Sequence, residues 1–451
     1  MKKLSQNKKI FAVKWVLFIS ISLILFSGCG KNPPIIQDDP FKQTNTFSSE
    51  VVVKWLDMKY QILQQPQEQI AGGFFPARFY SALGIALYES VVPGMRDYQS
   101  LFGQLQEMPA MPSISPGLNY HWPSSANAAI AHIFKTFLPN TTAGSKASID
   151  SLENALNTSY MTNVDAATIQ RSSEFGKAVA QLIFDWTKTD GHFNMINYTP
   201  PVGPGLWVPT PPTNTPAIGF RWSKLRPDMP GVLSSALPPE PIPYSTGPSS
   251  PFYLSMKEMY DARQTVLTKP ELSAQINYWR GTPGGSGFIV WYGILKKVLV
   301  EQGNAAMLDK AALAYCKLGI VHKDAATATY KAKYIYNELA PITYVRNVLG
   351  FTTWNSVFPT PASPAYPELH APQYASSAAV LTHMFGDNYK VNTNGVNEFP
   401  GYMFNSFEEA ALHGSLSRFY AGVGTKAAVD AGIVIGKKTV EYMLNKIKFL
   451  K

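Results

Sequence analysis

The chain has 451 residues, 45% of them hydrophobic and 15% charged, which supports a large buried core and excludes a disordered polymer. Its net charge of +9 comes from 39 Lys and Arg against 30 Asp and Glu. Five of those lysines (Lys2, Lys3, Lys8, Lys9 and Lys14) fall in residues 1–28, which carry no acid, and the +4 that remains forms no basic run, so nucleic-acid binding is excluded as a reading.

Residues 1–28 read as a targeting segment. A basic stretch precedes an apolar run from Trp15 to Phe26, shorter than the roughly 20 residues a bilayer span needs. The run ends in Phe26-Ser27-Gly28-Cys29, which resembles a bacterial lipoprotein cleavage box, with Cys29 as the lipidated first residue of the mature chain. That implies a lipid-anchored location in the cell envelope, with the membrane as a partner through Cys29. An ordinary signal peptide with an incidental Cys is the alternative. The other cysteine, Cys316, lies in an apolar stretch and reads as a buried small hydrophobe. Residues 29–48 read as a tether.

An N-terminal helical region spans residues 49–199. Val51, Val52, Trp55, Met58 and Leu63 lie near helical spacing, and Phe79, Leu83, Ala86, Leu87 and Val91 share one face. Further helices are expected over 124–138, 148–159 and 168–187. Residues 200–251 hold fifteen of the 35 prolines, a density that neither a helix nor a central strand tolerates. Trp207, Phe220, Trp222, Tyr244 and Phe252 punctuate this stretch, so it reads as an ordered crossover on the helical body rather than a solvated linker. A C-terminal helical bundle occupies 252–451, with helices expected at about 254–266, 270–279, 287–302, 305–321, 323–338, 341–349, 371–385, 406–422 and 426–448. Ser406-Phe-Glu-Glu409 is a capping box. The fold class is all-α: two helical bundles joined by a Pro-rich crossover.

Three short segments carry the chemistry. They are Lys333-x6-Ala340-Pro341, Pro367-Glu368-Leu369-His370 and Ser417-Arg418-x5-Gly424. Their order and spacing resemble the anion site of vanadium-dependent haloperoxidases and type 2 phosphatidic acid phosphatases, whose pattern is Lys-x6-Arg-Pro, Pro-Ser-Gly-His and Ser-Arg-x5-His. The block at 77–89, Asp185-Trp186, Asp190-Gly191 and Pro204–Pro209 are similar to the exported bacterial haloperoxidase-like branch, so the resemblance covers roughly residues 50–445.

The resemblance implies the vanadium haloperoxidase and acid phosphatase type of bundle, with an oxyanion at a helix N-terminus. Lys333, Ser417 and Arg418 match anion-binding positions, and His370 matches the acid/base histidine. A functional site would take vanadate or another small oxyanion. Four positions depart from the pattern. Ala340 replaces an arginine and donates no side-chain hydrogen bond. Glu368 replaces serine, and a carboxylate about 4 Å from an anionic oxygen costs on the order of 4 kcal/mol at an effective dielectric near 20. Leu369 adds bulk where the family has glycine. Gly424 replaces the histidine that would bind vanadium or carry the phosphoryl group, and glycine has no ligand atom.

Each matched residue also has a plainer reading: Lys333 as a surface lysine, His370 as a satisfied buried histidine, Arg418 as a core ion pair with Glu368. Three functions follow: a lipoprotein of this superfamily with a degenerate site and little or no catalysis; an active phosphomonoesterase or haloperoxidase using Lys333, His370 and Arg418; or a carbohydrate- or protein-binding helical lipoprotein using the aromatic crossover. Elsewhere, His121, His132, His192, His322 and His383 share no ligand spacing, and no metal ligand set is expected. Glu409 and His413 sit at i, i+4 and read as one helix face. Gly281–Gly287 looks like a phosphate loop but lacks the Lys-Ser/Thr ending and a preceding strand. It reads as a connection. The sequence names no protein partner.

Overall fold

The structure is a computed structural model and describes residues 43–63, 76–280 and 289–451. The targeting segment with Cys29, most of the tether and the Gly281–Gly287 connection lie outside the described residues.

Fourteen α-helices are described: α1 (Glu50–Leu63), α2 (Pro76–Val91), α3 (Trp122–Phe137), α4 (Ala143–Tyr160), α5 (Ala166–Lys188), a four-residue α6 (Val232–Ser235), α7 (Pro251–Thr265), α8 (Pro270–Arg280), α9 (Ile289–Gln302), α10 (Leu308–Tyr336), α11 (Pro341–Asn347), α12 (His370–Phe385), α13 (Phe407–Tyr420) and α14 (Lys426–Lys446). The sheet content is one antiparallel pair, β1 (Val391–Asn392) and β2 (Met403–Phe404), with Val391 opposite Phe404. The fold is all-α. Among the described residues no helix is long and apolar enough to cross a membrane.

Helices α2, α3, α4 and α5 pack on one another, as do α12, α13 and α14, and α10 joins the groups through α2 and α12. At 29 residues α10 is roughly 43 Å long at 1.5 Å per residue. It is a single helix where the sequence reading expects two, at 305–321 and 323–338. The polar run His322-Lys323-Asp324 falls at the expected junction, and the crossover and neighbouring helices bring partners to all three. His322 Nε2 lies 2.6 Å from Ser377 Oγ. Lys323 pairs with Asp228. Asp324 accepts the backbone amides of Asp228 and Met229 at 2.7 and 2.8 Å. A buried charge is tolerated only with such partners.

The crossover is part of the body. Trp207 is fully buried beside Ala340 and Val345, while Phe220 and Trp222 pack against Tyr330 and Tyr334 of α10. Part of this aromatic set is thus packed on the body, while Tyr244 is exposed. Arg78 of α2 donates from Nε to Asp190 at 2.6 Å, and Lys323 lies 3.8 Å from the same carboxylate. Near the end of α10, Trp207 N donates to Asn337 O at 2.7 Å and Leu339 N to Gly205 O at 2.9 Å. Ile218 N reaches Ala362 O at 2.8 Å, and the Tyr334 hydroxyl donates to Ile218 O. The crossover thus fixes the end of α10 and the 360–365 loop against each other.

Cys316 is buried and free. Ser406 caps α13 by accepting Glu409 N at 3.1 Å. The reciprocal half of the box is displaced by one residue, since the Glu409 carboxylate accepts Asn405 N at 2.6 Å.

Candidate functional site

The three segments converge on one cavity of about 120 Å³, lined among others by Lys333, Ala340, Glu368, Leu369, His370 and Arg418. Each arrives by a local structural cause. Lys333 sits in the last turn of α10, which ends where Asn337 adopts a left-handed φ of 51° and returns its amide to Lys333 O at 2.8 Å. Three residues later Ala340 is the N-cap of α11, with Pro341 at the first helical position, where a missing amide hydrogen costs nothing. The second segment reaches the cavity along α14, because Glu368 N donates to Ala428 O at 3.0 Å. Gly432 and Gly436 permit this approach: a Cβ on Gly432 would sit 2.8 Å from Glu368 O, and one on Gly436 2.4 Å from Pro372 O. Arg418 occupies the last turn of α13, where a cation suits the helix dipole.

At the centre stands the Glu368 carboxylate. One oxygen, Oε2, accepts the backbone amides of His370 at 2.6 Å and Ala371 at 2.8 Å, the free donors at the N-terminus of α12. The other, Oε1, accepts Arg418 Nε at 2.9 Å and lies 3.1 Å from His370 Nδ1. Glu368 and Arg418 are 4% and 5% exposed. Burial raises the Glu368 pKa, but the Arg418 charge, His370 and the Ala371 amide outweigh it and hold the carboxyl well below the usual range. The Glu368–Arg418 pair expected from the sequence is therefore formed, and its acceptor lies where an anion at this helix terminus would sit.

Lys333 is also buried, 4% exposed, and donates from Nζ to Pro364 O at 2.6 Å and Ala365 O at 3.1 Å. Burial pushes its pKa down to about 8, opposed by Glu368 and Glu338. Glu338 is buried too and is raised to about 8, against the pull of Lys333. His370 is partly buried and its pKa is lowered, by burial first and then by Arg418.

Ser417 is a correction. Its hydroxyl donates to Gly414 O at 2.6 Å, one turn back along α13, and it does not line the cavity. A serine in a buried helix face satisfies itself on its own backbone when no acceptor faces it. Arg346 does not replace the missing arginine at Ala340, because its guanidinium donates to Trp354 O and Asn355 Oδ1 at 2.9 and 2.8 Å. His413 Nδ1 accepts Trp279 Nε1 at 2.7 Å, so it is a packing histidine. Among the described residues no group of three or more His, Cys, Asp or Glu is placed to hold a metal ion. The sequence reading did not single out Tyr330, Ile218 and Val423, which line the cavity; Tyr330 is on the motif-bearing α10 and Val423 lies inside the third segment, whereas Ile218 comes from the crossover.

Residues 314–450, which contain all three segments, match the family model of the VCPO second helical-bundle domain. The fold is similar to that of the first bacterial vanadium-dependent iodoperoxidase of known structure, at 25% identity and a TM-score of 0.79, over 90% of this chain and 98% of that one. These matches support assignment of the chain to the vanadium haloperoxidase superfamily. Two further structures share the fold: holo- and apo-type bacterial vanadium-dependent chloroperoxidases, at 15% and 14% identity and a TM-score of 0.61 each. The alignments cover 84% and 86% of this chain and 94% and 97% of theirs. No curated protein sequence matches.

Vanadate is the cofactor this superfamily implies, and the residues present do not fit it. The position that would supply the imidazole ligand is Gly424, and a Cβ built there meets the Glu368 side chain. Glu368 brings a negative charge to the helix terminus that would receive the oxyanion, and Ala340 leaves one guanidinium fewer to neutralise it.

Proposed function

We propose that this protein is a superfamily member with little or no haloperoxidase or phosphatase activity, anchored in the cell envelope by lipid on Cys29. The observation that carries this reading is the Glu368 carboxylate, bound by the α12 amides at 2.6 and 2.8 Å and by Arg418 at 2.9 Å. An internal anion satisfies the donors that would otherwise hold a free one. With no imidazole at position 424 there is neither a ligand for vanadium nor a nucleophile for a phosphoryl group. The role that remains is binding.

The test is direct. The purified chain, supplied with vanadate, peroxide and iodide or bromide, is expected to oxidise no halide above background. It is also expected to hydrolyse no phosphomonoester. Turnover that depends on Lys333, His370 or Arg418 would instead establish the active reading. For the anchor, Cys29→Ser should move the chain from the membrane to the soluble fraction and abolish labelling by a radioactive fatty acid.

A further inference from the structure

The cavity keeps donors that the internal carboxylate does not use. Arg418 is 5% exposed and reaches Glu368 through Nε alone, so its two Nη groups find no hydrogen-bond partner among the described residues. Its guanidinium is held in place by the Phe358 ring, 4.7 Å from Cζ. His370 turns Nδ1 toward Glu368, and its Nε2 has no partner among the described residues. Lys333 directs its ammonium at the 364–365 carbonyls, but its charge remains in the cavity wall.

The charge count decides what such a site accepts. Among the lining residues Lys333 and Arg418 contribute two positive charges and Glu368 removes one. One positive charge is left over. A monoanion matches that; since vanadate and part of phosphate are also monoanionic at pH 7, the apolar lining rather than charge separates them from a carboxylate. The shape of the lining narrows the class further. Ile218, Pro361, Leu369 and Val423 give the cavity an apolar side, which a hydrated inorganic ion does not use.

We infer that the cavity binds a small organic monocarboxylate, its carboxylate on the Arg418 Nη fork and its short alkyl tail against Ile218 and Val423. This rests on the reading above, that Glu368 has displaced the inorganic oxyanion. Arg suits the task because its planar fork matches a carboxylate in two parallel hydrogen bonds.

The experiment is calorimetric titration of the full chain at pH 7 with acetate, propionate and butyrate, then with inorganic phosphate and orthovanadate. Affinity is expected to rise about fourfold per added CH₂, the value for burying one methylene, and to exceed that for phosphate or vanadate. Arg418→Ala should lower butyrate affinity at least about tenfold, the loss of a charge-assisted hydrogen-bond pair. Ile218→Ala, which leaves the Glu368–Arg418 pair intact, should flatten the rise with chain length and covers the case in which the arginine variant fails to fold. Failure of every carboxylate to bind, or binding indifferent to both variants, overturns the inference while leaving the proposed function standing. Vanadate or phosphate binding tighter than butyrate also overturns the inference, whereas only halide or phosphomonoester turnover overturns the proposed function.

Discussion

A Cβ atom placed on Gly424 lies 3.1 Å from Glu368 Cγ and 3.6 Å from its Cβ. Two departures from the superfamily pattern, a lost histidine and a gained carboxylate, are therefore one spatial event. The φ of Gly424 is not in the left-handed region, so the backbone itself accepts a side chain. What resists one is the Glu368 stem.

Gly424→His alone should destabilise the fold by about 1–3 kcal/mol, the usual cost of overpacking. Adding Glu368→Ser makes the room, and the double variant should be less destabilised than the sum of the two single ones by about 0.5–3 kcal/mol. Urea unfolding of the four proteins measures this coupling. The double variant should also bind vanadate more tightly than the parent. Additive effects with no gain in vanadate affinity would show that the two positions are independent.

Glu368 is also a pH-sensitive support. Its folded pKa is depressed, so its stabilisation is present above the unfolded value near 4.5 and is lost as pH falls below it. Glu368→Gln should therefore be destabilised at pH 7, by about 3–5 kcal/mol for a buried pair broken on one side. The gap to wild type should narrow as pH drops from 5 toward 3. A gap that is constant across that range in chemical denaturation would remove the ionic account of this residue.

The three segments could be read from the sequence because the superfamily spacing survives around α10, α12 and α13. That they share one cavity could not, since Lys333 and Arg418 lie 85 positions apart and meet through the packing of α12 on α10 and α13. Ser417 was misread because spacing places the residue but not its hydroxyl, which the helix carbonyl of Gly414 captures. The break expected at residue 322 failed for a related reason. Polar residues signal exposure until a distant segment supplies partners, and here Asp228 and Met229, nearly a hundred positions away, do so. Phe220 and Trp222 of the crossover pack on α10 while Tyr244 is exposed, a division between core and surface that sequence alone does not make.

Glu338 and Lys333 oppose each other in pH. Burial raises the Glu338 pKa to about 8 from its ordinary value of 4.5. Between those values the folded chain holds a proton that the unfolded chain releases, so this group makes stability fall as pH rises from 5 to 8. Glu338→Gln carries no such proton. Relative to wild type it should gain stability steadily across that window, and the two urea midpoints should run parallel below pH 4. Parallel curves over the whole range would mean that Glu338 is ionised in the folded chain.

Asp324 offers the sharpest test of how the crossover is held. Both of its carboxylate oxygens accept crossover amides, Asp228 N at 2.7 Å and Met229 N at 2.8 Å, deep against α10. Asp324→Ala leaves two buried amides without acceptors, a loss of about 1–3 kcal/mol for each unsatisfied group. Burial first, and then the charge of Asp228, the partner of Lys323, raise the Asp324 pKa, so alanine also relieves part of that repulsion. The amide loss is the larger effect because it is paid in full, while the repulsion is already screened by Lys323. Net destabilisation of about 2–4 kcal/mol is therefore expected. Asp324→Asn, which keeps one acceptor oxygen, should fall between wild type and alanine. Limited proteolysis should cut near residues 225–232 faster in the alanine variant than in wild type. Cleavage that is unchanged while global stability falls would show that the crossover is held by its aromatics rather than by this carboxylate.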